Sequence, residues 1–385
     1  MTFKGYRRSD GKVGIRNHVL ILPTSICAAQ VASDIARTVR GCVAACHAYG
    51  CCQVGADARL TFRTLLNTAD NPNVGAIVVV GLGCEGLEPL AMLQAVEGLG
   101  KPARGIVIQK EGGSVKAVEQ GAAIARRMAE DLVSQPREEV YVSSLLLGVE
   151  CGGSDATSGL AANPALGVAS DLLIAAGGTC ILSETTESIG AEHVLARRAV
   201  NDQVRRKLLE IVHACEERAL QMGEDLRGSQ PTPGNIAGGI TTLEEKSLGC
   251  IHKAGSAPIQ GVLEYGEIPA GAGLYVMDTP GMDVESMVGL AAGGVRVMVF
   301  TTGRGTPTGN PIMPVIKVTA NRRTAESMAD NIDVDLSGVI DGTLTIEQAG
   351  KRIFDEIRAV AGGKLTKAEL LGHAEFSIYR IGPTF

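Results

Sequence analysis

Short apolar runs alternate with helically spaced stretches along the first 135 residues. His18 to Pro23 is apolar almost throughout, and Ala28 to Arg40 then carries apolar residues at three- and four-residue intervals. Cys42 to Ala48 reads as a second strand and Ala58 to Thr68 as a helix. Ala76 to Leu82 is a continuous apolar strand of the kind buried on both faces. A helix near Leu87 to Gly98, a strand over Gly105 to Gln109 and a helix over Ser114 to Ser134 complete the alternation. This order predicts a doubly wound parallel sheet, in which ligands sit beyond the carboxyl ends of the strands.

Gln135-Pro136-Arg137 reads as a hinge, after which the pattern restarts. A strand is expected over Ser143 to Val149, a helix over Leu160 to Ala176, a strand over Thr179 to Ser183, and a long helical span from Ala191 to about Met222. Residues 227–240 are rich in Pro and Gly. Beyond them, strands are expected over Gly273 to Asp278 and Arg296 to Thr301, with a helix over Val284 to Ala292 between them and an amphipathic helix over Ile346 to Val360. The sequence therefore predicts an α/β protein of doubly wound parallel sheets in two or three packed subdomains. Residues 1–136 form an N-terminal α/β domain and 137–385 a second α/β catalytic region, with a subdivision near 227–240.

Composition narrows the function. There is no Trp, aromatic residues make up 3%, and the net charge is −6. That leaves neither stacking platforms nor a basic surface for nucleic acid. No apolar stretch approaches the ~20 residues a membrane span requires, and the start of the chain lacks the apolar run of an exported protein. A cytoplasmic location is expected, where the ten cysteines stay reduced as core residues, metal ligands or reactive thiols.

Polar residues gather at the strand ends. Thr24-Ser25-Ile26-Cys27 follows the first strand, His47 to Cys52 the second, and Gly83-Cys84-Glu85-Gly86 the third. In a parallel sheet these loops are neighbours, so Cys27, His47, Cys51 and Glu85 are candidates to surround one borderline metal. Cys42, Cys46, Cys180 and Cys215 sit inside apolar periodicity and read as small core residues. In the second block the strand ends are Glu150-Cys151-Gly152-Gly153-Ser154-Asp155 and Ser183-Glu184-Thr185-Thr186-Glu187. Ser154 and Asp155 suit either an anion at a helix start or ordinary helix capping. Glu184 and Glu187 suit metal ligation or proton transfer, or else are helix-start acids favoured by the dipole. Later, Thr301-Thr302-Gly303-Arg304-Gly305 offers hydroxyls, backbone amides and one guanidinium to an anion. Lys246 is either a second anion contact or a solvated charge.

Several of these strings resemble one family. Gly5-Tyr6-Arg7-Arg8, Gly14 to His18, His47 to Cys51, Gly83 to Gly86, Cys151 to Ser158, Asn163 to Gly167, Gly238 to Gly249 and Phe300 to Gly305 are similar to the large region of altronate and galactarate dehydratases. The resemblance covers nearly the whole chain in one order. Sugar-acid dehydratases of that family carry an additional small N-terminal domain. The family also includes the two-subunit sulfolactate sulfo-lyase, whose beta subunit is similar in extent to this chain. The resemblance thus implies a large subunit that works with a small companion chain, and oligomerisation is expected.

The chemistry implied is β-elimination from a small anionic 2-hydroxy acid. Removing a proton beside a carboxylate creates a second negative charge, which a divalent metal offsets as a Lewis acid. Iron is the expected ion, with manganese as the substitute and an iron–sulfur cluster ranked below a single ion. The expected metal ligands are Cys51, Cys84 and Cys151. The expected proton-transfer groups are His47, Glu85, Glu184 and Glu187, and the expected substrate contacts are Arg16, Ser154, Asp155, Lys246, Thr302 and Arg304. Three activities fit this reading: dehydration of a sugar acid such as altronate or galactarate to a 2-keto-3-deoxy acid, release of sulfite from sulfolactate, or non-catalytic binding of an anion or dinucleotide.

Overall fold

A computed structural model describes all residues, Met1–Phe385. Strands β1 (Thr2–Arg7) and β2 (Val13–Gly14) open the chain as an antiparallel pair. Then β3 (His18–Pro23), β4 (Cys42–Ala44), β5 (Val74–Gly81) and β6 (Ala103–Val107) form a parallel sheet in the order β4-β3-β5-β6. All eight residues of β5 are buried, as its unbroken apolar run requires. Helices Ile26–Thr38 and Ser114–Val133 cover one face, and Gly55–Asp70 with Pro89–Glu97 the other. Strand β7 (Glu138–Tyr141) returns to pair with β1.

The rest of the chain builds one parallel sheet of seven strands. These are β8 (Leu146–Cys151), β9 (Thr179–Leu182), β10 (Ile259–Leu263), β11 (Gly273–Met277), β12 (Val297–Thr301), β13 (Val315–Thr319) and β14 (Val334–Asp335), ordered β10-β11-β9-β8-β12-β13-β14. Strands from both sides of residues 227–240 pair in this single sheet. Alternate residues serve opposite faces. Val297 and Val299 pack with helices Asn163–Ala175 and Ile346–Ala361, while Met298 and Phe300 face helix Asp283–Ala292.

Three local features depart from the sequence pattern. The long span after Ala191 is two helices, Glu192–Ala196 and Asp202–Gln221, because the Asn201 side chain accepts from the Val204 amide (2.9 Å) and starts the second one. Strands β10, β13 and β14 had no distinct signal beside their neighbours. One helical segment, Ser158–Ala175, is long and apolar enough in composition to cross a membrane, against the sequence expectation. About half of it (56%) is buried, against Ile346–Ala361 among others, so a core role accounts for its character.

A shared core joins the two sheets, since residues of Gly55–Asp70, Pro89–Glu97, Asp283–Ala292 and one face of the large sheet form one cluster. Its polar lock is Asn71-Pro72-Asn73. The Asn71 amide donates to the carbonyls of Ala291 (2.8 Å) and Val295 (2.9 Å). Asn73 donates to Arg296 (2.8 Å) and Ile312 (3.0 Å) and accepts from the Ile15 and Arg16 amides. Replacing Asn73 with Leu leaves four backbone groups without this partner. Urea denaturation should show a loss of about 3 kcal/mol or more, whereas Asn67→Ala, which removes one bond to Gly266, should cost about 1 kcal/mol. Equal, small losses would show that the seam is held by apolar contact alone.

Candidate active site

In the seven-stranded sheet β8 and β12 are neighbours, yet the chain leaves them in opposite directions. This is a topological switch point, where the strand-end loops part and open a crevice. The loops after β8 and β12 are tied together, with the Gly152 amide on the Thr301 carbonyl (3.1 Å) and the Arg304 amide on the Gly153 carbonyl (3.0 Å). Between them and the end of β9 lies a cavity of about 270 Å³. Cys151, Ser154, Glu184, Glu187, Lys246 and Arg304 line it, joined by Asp283 from the loop after β11. No residue of the first 140 reaches it.

Glu150, Glu184 and Asp283 each present an oxygen within 4.8 Å of the others. Glu150 lies in the last turn of the β8 pleat, fully buried. One carboxylate oxygen accepts from Ser183 and Ser286 (3.1 Å), and the other, Oε1, has no partner. Glu184 has left-handed backbone, φ +66°, which a residue with a side chain adopts only at a cost of about 1 kcal/mol or more. That conformation is held from outside: the Glu184 amide donates to the Thr279 hydroxyl (2.7 Å), and Thr185 bonds Asp278 (2.6 Å). Its carboxylate accepts from the Cys151 amide (3.0 Å) and from Lys253. Gly152 gives Asp283 its room, since a Cβ there would stand 2.5 Å from the Asp283 carboxylate.

Burial and mutual repulsion dominate the protonation of these acids. Burial, then Glu184, raises the Glu150 pKa well above the carboxylate range. Burial also outweighs the attraction of Lys253 and, with repulsion from Glu187, Cys151 and Asp283, pushes Glu184 to about 8. Asp283 rises to about 6, from burial and then Cys151 and Glu187. Cys151 moves the other way. A hydrogen bond from Cys250 overcomes burial and, with the charge of Lys253 and the Ser154 and Thr301 hydroxyls, lowers it to about 6. Cys250 is raised by its contact with Cys151 and by burial, so it keeps its proton. Burial opposes the charge of Lys253, but Cys250 (2.9 Å), Glu184, Cys151 and Glu150 outweigh it and hold the ammonium.

The outer wall is cationic. Lys246 pairs with Glu187 (2.9 Å) and bonds Gln230 (3.0 Å), leaving Glu187 Oε2 buried without a partner. The Arg304 guanidinium is exposed and makes no side-chain hydrogen bond within the chain. It lies against Gly234, where a Cβ would come 2.7 Å from Nη1. Asp155 and Thr302 brace these loops rather than line the cavity: Asp155 binds Thr157 (2.6 Å), the Ser158 amide (3.1 Å) and Asn321 (2.8 Å), and Thr302 accepts from the Gly305 amide (2.9 Å).

The remaining sequence candidates lie elsewhere. His47, Cys51, Cys84 and Glu85 belong to the strand ends of the four-stranded sheet, with Cys27 exposed at the start of helix Ile26–Thr38. They form no group with metal-ligand spacing. His47 is buried, with Nε2 2.9 Å from the Pro23 carbonyl and Nδ1 accepting from the Tyr49 amide (3.2 Å), and burial lowers its pKa to about 4. Glu85 accepts from Thr24 (2.6 Å), Gly83 (2.6 Å) and Leu82 (2.8 Å). Burial alone would raise it, but these bonds outweigh burial and hold it below the usual range. Cys51 stands 3.7 Å from Cys52, and Cys84 accepts from Gln109 (3.5 Å). All five Arg16 donors are occupied, by Glu369 (2.6 and 2.8 Å) and the carbonyls of Ile15, Val360 and Lys364.

Sequence reasoning passed over Glu150, Asp283, Cys250 and Lys253. Asp283 follows a strand end by the same rule that singled out Glu184 and was within reach of it. Glu150 stands in a strand-end string without a role assigned to it, and the sequence gives no reading of Lys253, which lies in a single turn, His252–Ala254.

Comparisons with known proteins agree over the full length. A family model described as D-galactarate/altronate dehydratase, C-terminal, matches residues 142–384, and one described as D-galactarate dehydratase/altronate hydrolase, second domain, matches 5–133. The chain is 41% identical to the (2R)-sulfolactate sulfo-lyase subunit beta of Chromohalobacter salexigens, covering 99% of this chain and 97% of that one. It is 36% identical to an altronate dehydratase of Bacillus subtilis, over 100% of this chain and 78% of that protein. It is 38% identical to the galactarate dehydratase (L-threo-forming) of Escherichia coli, over 94% and 73%. A crevice of buried acids at a switch point, carried on two domains matched in order, thus belongs to a lyase of the galactarate/altronate dehydratase family.

Proposed function

We propose that the chain is the large subunit of a metal-dependent lyase that performs β-elimination on a small 2-hydroxy acid. The observation that carries this reading is the trio Glu150, Glu184 and Asp283, of which Glu184 and Asp283 line the same cavity as an unpartnered Arg304. A divalent cation fits the trio. The Glu150 Oε1 atom is buried without a partner, and crowded acids hold protons that a 2+ charge would displace. Carboxylates with the Cys151 thiolate suit iron(II) or manganese(II). A cluster fits less well, because only Cys151 and Cys250 come together and Cys250 is protonated. Bound there, the ion would supply Lewis-acid stabilisation of the charge that develops on the substrate carboxylate.

The chain's own groups have distinct tasks. Arg304 holds an anionic group at the cavity mouth, with the Gly152–Ser154 loop beside it. Glu187, paired with Lys246 and with one oxygen free, accepts the proton from the carbon next to the carboxylate. Lys253 anchors Glu184 from beneath and fixes its direction.

Two substrates fit this chemistry. The sulfolactate reading is favoured by similarity, the chain being 41% identical to the sulfo-lyase subunit and 36–38% identical to the dehydratases. In it the C–H bond breaks at C2, the C–S bond breaks at C3, and sulfite leaves with the electron pair, giving the enol of pyruvate. The sugar-acid reading replaces sulfite by hydroxide, which must be protonated as it leaves. A small companion chain belongs to the proposal. The test is to assay the chain alone and with the partner subunit of the Chromohalobacter sulfo-lyase, against sulfolactate, altronate and galactarate. Sulfite with pyruvate supports the first reading and a 2-keto-3-deoxy acid the second. No turnover of any of the three in the presence of the companion and iron(II) refutes both.

Metal affinity should tighten as pH rises. Asp283 and Glu184 carry protons up to about 6 and about 8, and these must leave before an ion binds. Calorimetry in buffers of different ionisation enthalpy should record proton release on binding, greatest below about pH 6. Binding independent of pH would place the ion elsewhere.

Substitutions should separate the roles. Glu184→Gln and Glu187→Gln should each lower kcat about a hundredfold or more, with bound metal lost only in Glu184→Gln. Arg304→Met should raise KM about tenfold to a hundredfold and leave metal content intact. Full turnover by Glu184→Gln would overturn the assignment.

A further inference from the structure

A second cavity lies at the opposite end of the large sheet, with a volume of about 480 Å³. It opens along the seam between the domains. Lys12 in the β1–β2 turn and Asp70 at the end of helix Gly55–Asp70 form one side, and the first residues of β8 and β9, Leu146 and Thr179, form the other with Arg296. The six residues of β8 separate it from the acid crevice, a span of roughly 20 Å. Its size falls in the range of small-molecule sites.

Two observations give it a chemistry. The Arg296 side chain is fixed at one point, Nε to the Val13 carbonyl (3.1 Å), and neither terminal nitrogen has a hydrogen-bond partner in the chain. Around it the other cations are already engaged. Lys12 is bridged to Asp10 (3.0 Å) and Asp70 (2.8 Å). Arg8 is bonded to Pro72 (2.8 Å), Asn17 (2.7 Å) and Arg16 (3.1 Å), and Lys101 to the carbonyls of Ala69 (2.7 Å) and Asn71 (2.8 Å). Arg296 is therefore the cation of the cleft with donors to spare, because the two carboxylates that line it, Asp10 and Asp70, are engaged by Lys12. An arginine with two free forked donors in a cleft of this size matches a carboxylate or phosphate.

We propose that this interdomain cleft binds a small hydroxylated organic anion, a carboxylate or phosphate ester, as an effector distinct from the substrate. The anionic group sits on Arg296, and neighbouring hydroxyls donate to Asp70 or Asp10. Because both domains contribute to its walls, an occupant ties them together and raises the unfolding temperature. The inference stands independently of the substrate assigned to the acid crevice.

The test uses the full-length chain and two probes, D-tartrate and glycerol 3-phosphate, measured by calorimetry and thermal unfolding. Saturable binding and a raised unfolding temperature are expected with at least one probe, and the one that binds identifies the anion. Arg296→Met should weaken binding about tenfold or more, the worth of one charge-assisted pair. Ala270→Trp, at an exposed position on the cleft wall, should block it with Arg296 still in place. Arg304→Met, in the acid crevice, should leave binding unchanged. No saturable binding of either probe up to about 10 mM overturns the proposal. So does wild-type affinity in Ala270→Trp with or without a folded Arg296→Met, or loss of binding in Arg304→Met alone.

Discussion

Three carboxylates and a thiolate share a space with little water and a single buried ammonium. Ionised acids so placed repel one another strongly in a medium of low polarity, and desolvation adds to the cost. Lys253 offsets part of that charge. Protonation of Glu150 and Glu184 offsets more, which is why both are shifted upward. Much of the local structure serves to hold the arrangement in place. Thr279 fixes the left-handed Glu184 backbone, Ser183 and Ser286 hold one face of Glu150, and Gly152 clears space for Asp283. Strain and repulsion of this kind persist only where surrounding contacts over-determine them, and they concentrate at functional sites.

The two domains carry the same device and use it differently. In the small sheet the switch point lies between β3 and β5, and its carboxylate, Glu85, receives three hydrogen bonds from its own loops. Those bonds lower its pKa and consume its acceptor capacity, so it stabilises a turn. At the large sheet's switch point some carboxylate oxygens go without a donor. Glu150 and Glu187 each keep a buried oxygen without a partner. The difference is one of supply of donors, not of residue type.

The seam between the domains is unusually polar for a core boundary. Asn71 and Asn73 reach across it to backbone groups that no strand can satisfy, and Arg16 ties the first strands to Glu369 near the end of the chain. The apolar cluster beneath is continuous from one sheet to the other. Loops at both ends of the large sheet are thereby held on one rigid frame, which suits a crevice whose groups must keep fixed directions.

The sequence by itself determined the alternation of strands and helices, the parallel double winding and the position of reactive residues at strand ends, because these depend on local periodicity and on where a buried strand must stop. It also determined the family, through strings such as Cys151 to Ser158 and Phe300 to Gly305. Tertiary structure alone decided which strand ends meet. Strand order is set by long-range pairing, so nothing local told that the loop after β8 lies beside the one after β12 while His47, Cys51 and Cys84 lie on another sheet. Function of a carboxylate was equally hidden: Glu85 and Glu184 occupy like positions after buried strands, and only the count of donors around each, fixed by packing, makes one a brace and the other a candidate ligand. Lys253 shows the same limit from the other side, since a lone lysine carries no local sign of burial until the fold encloses it among acids.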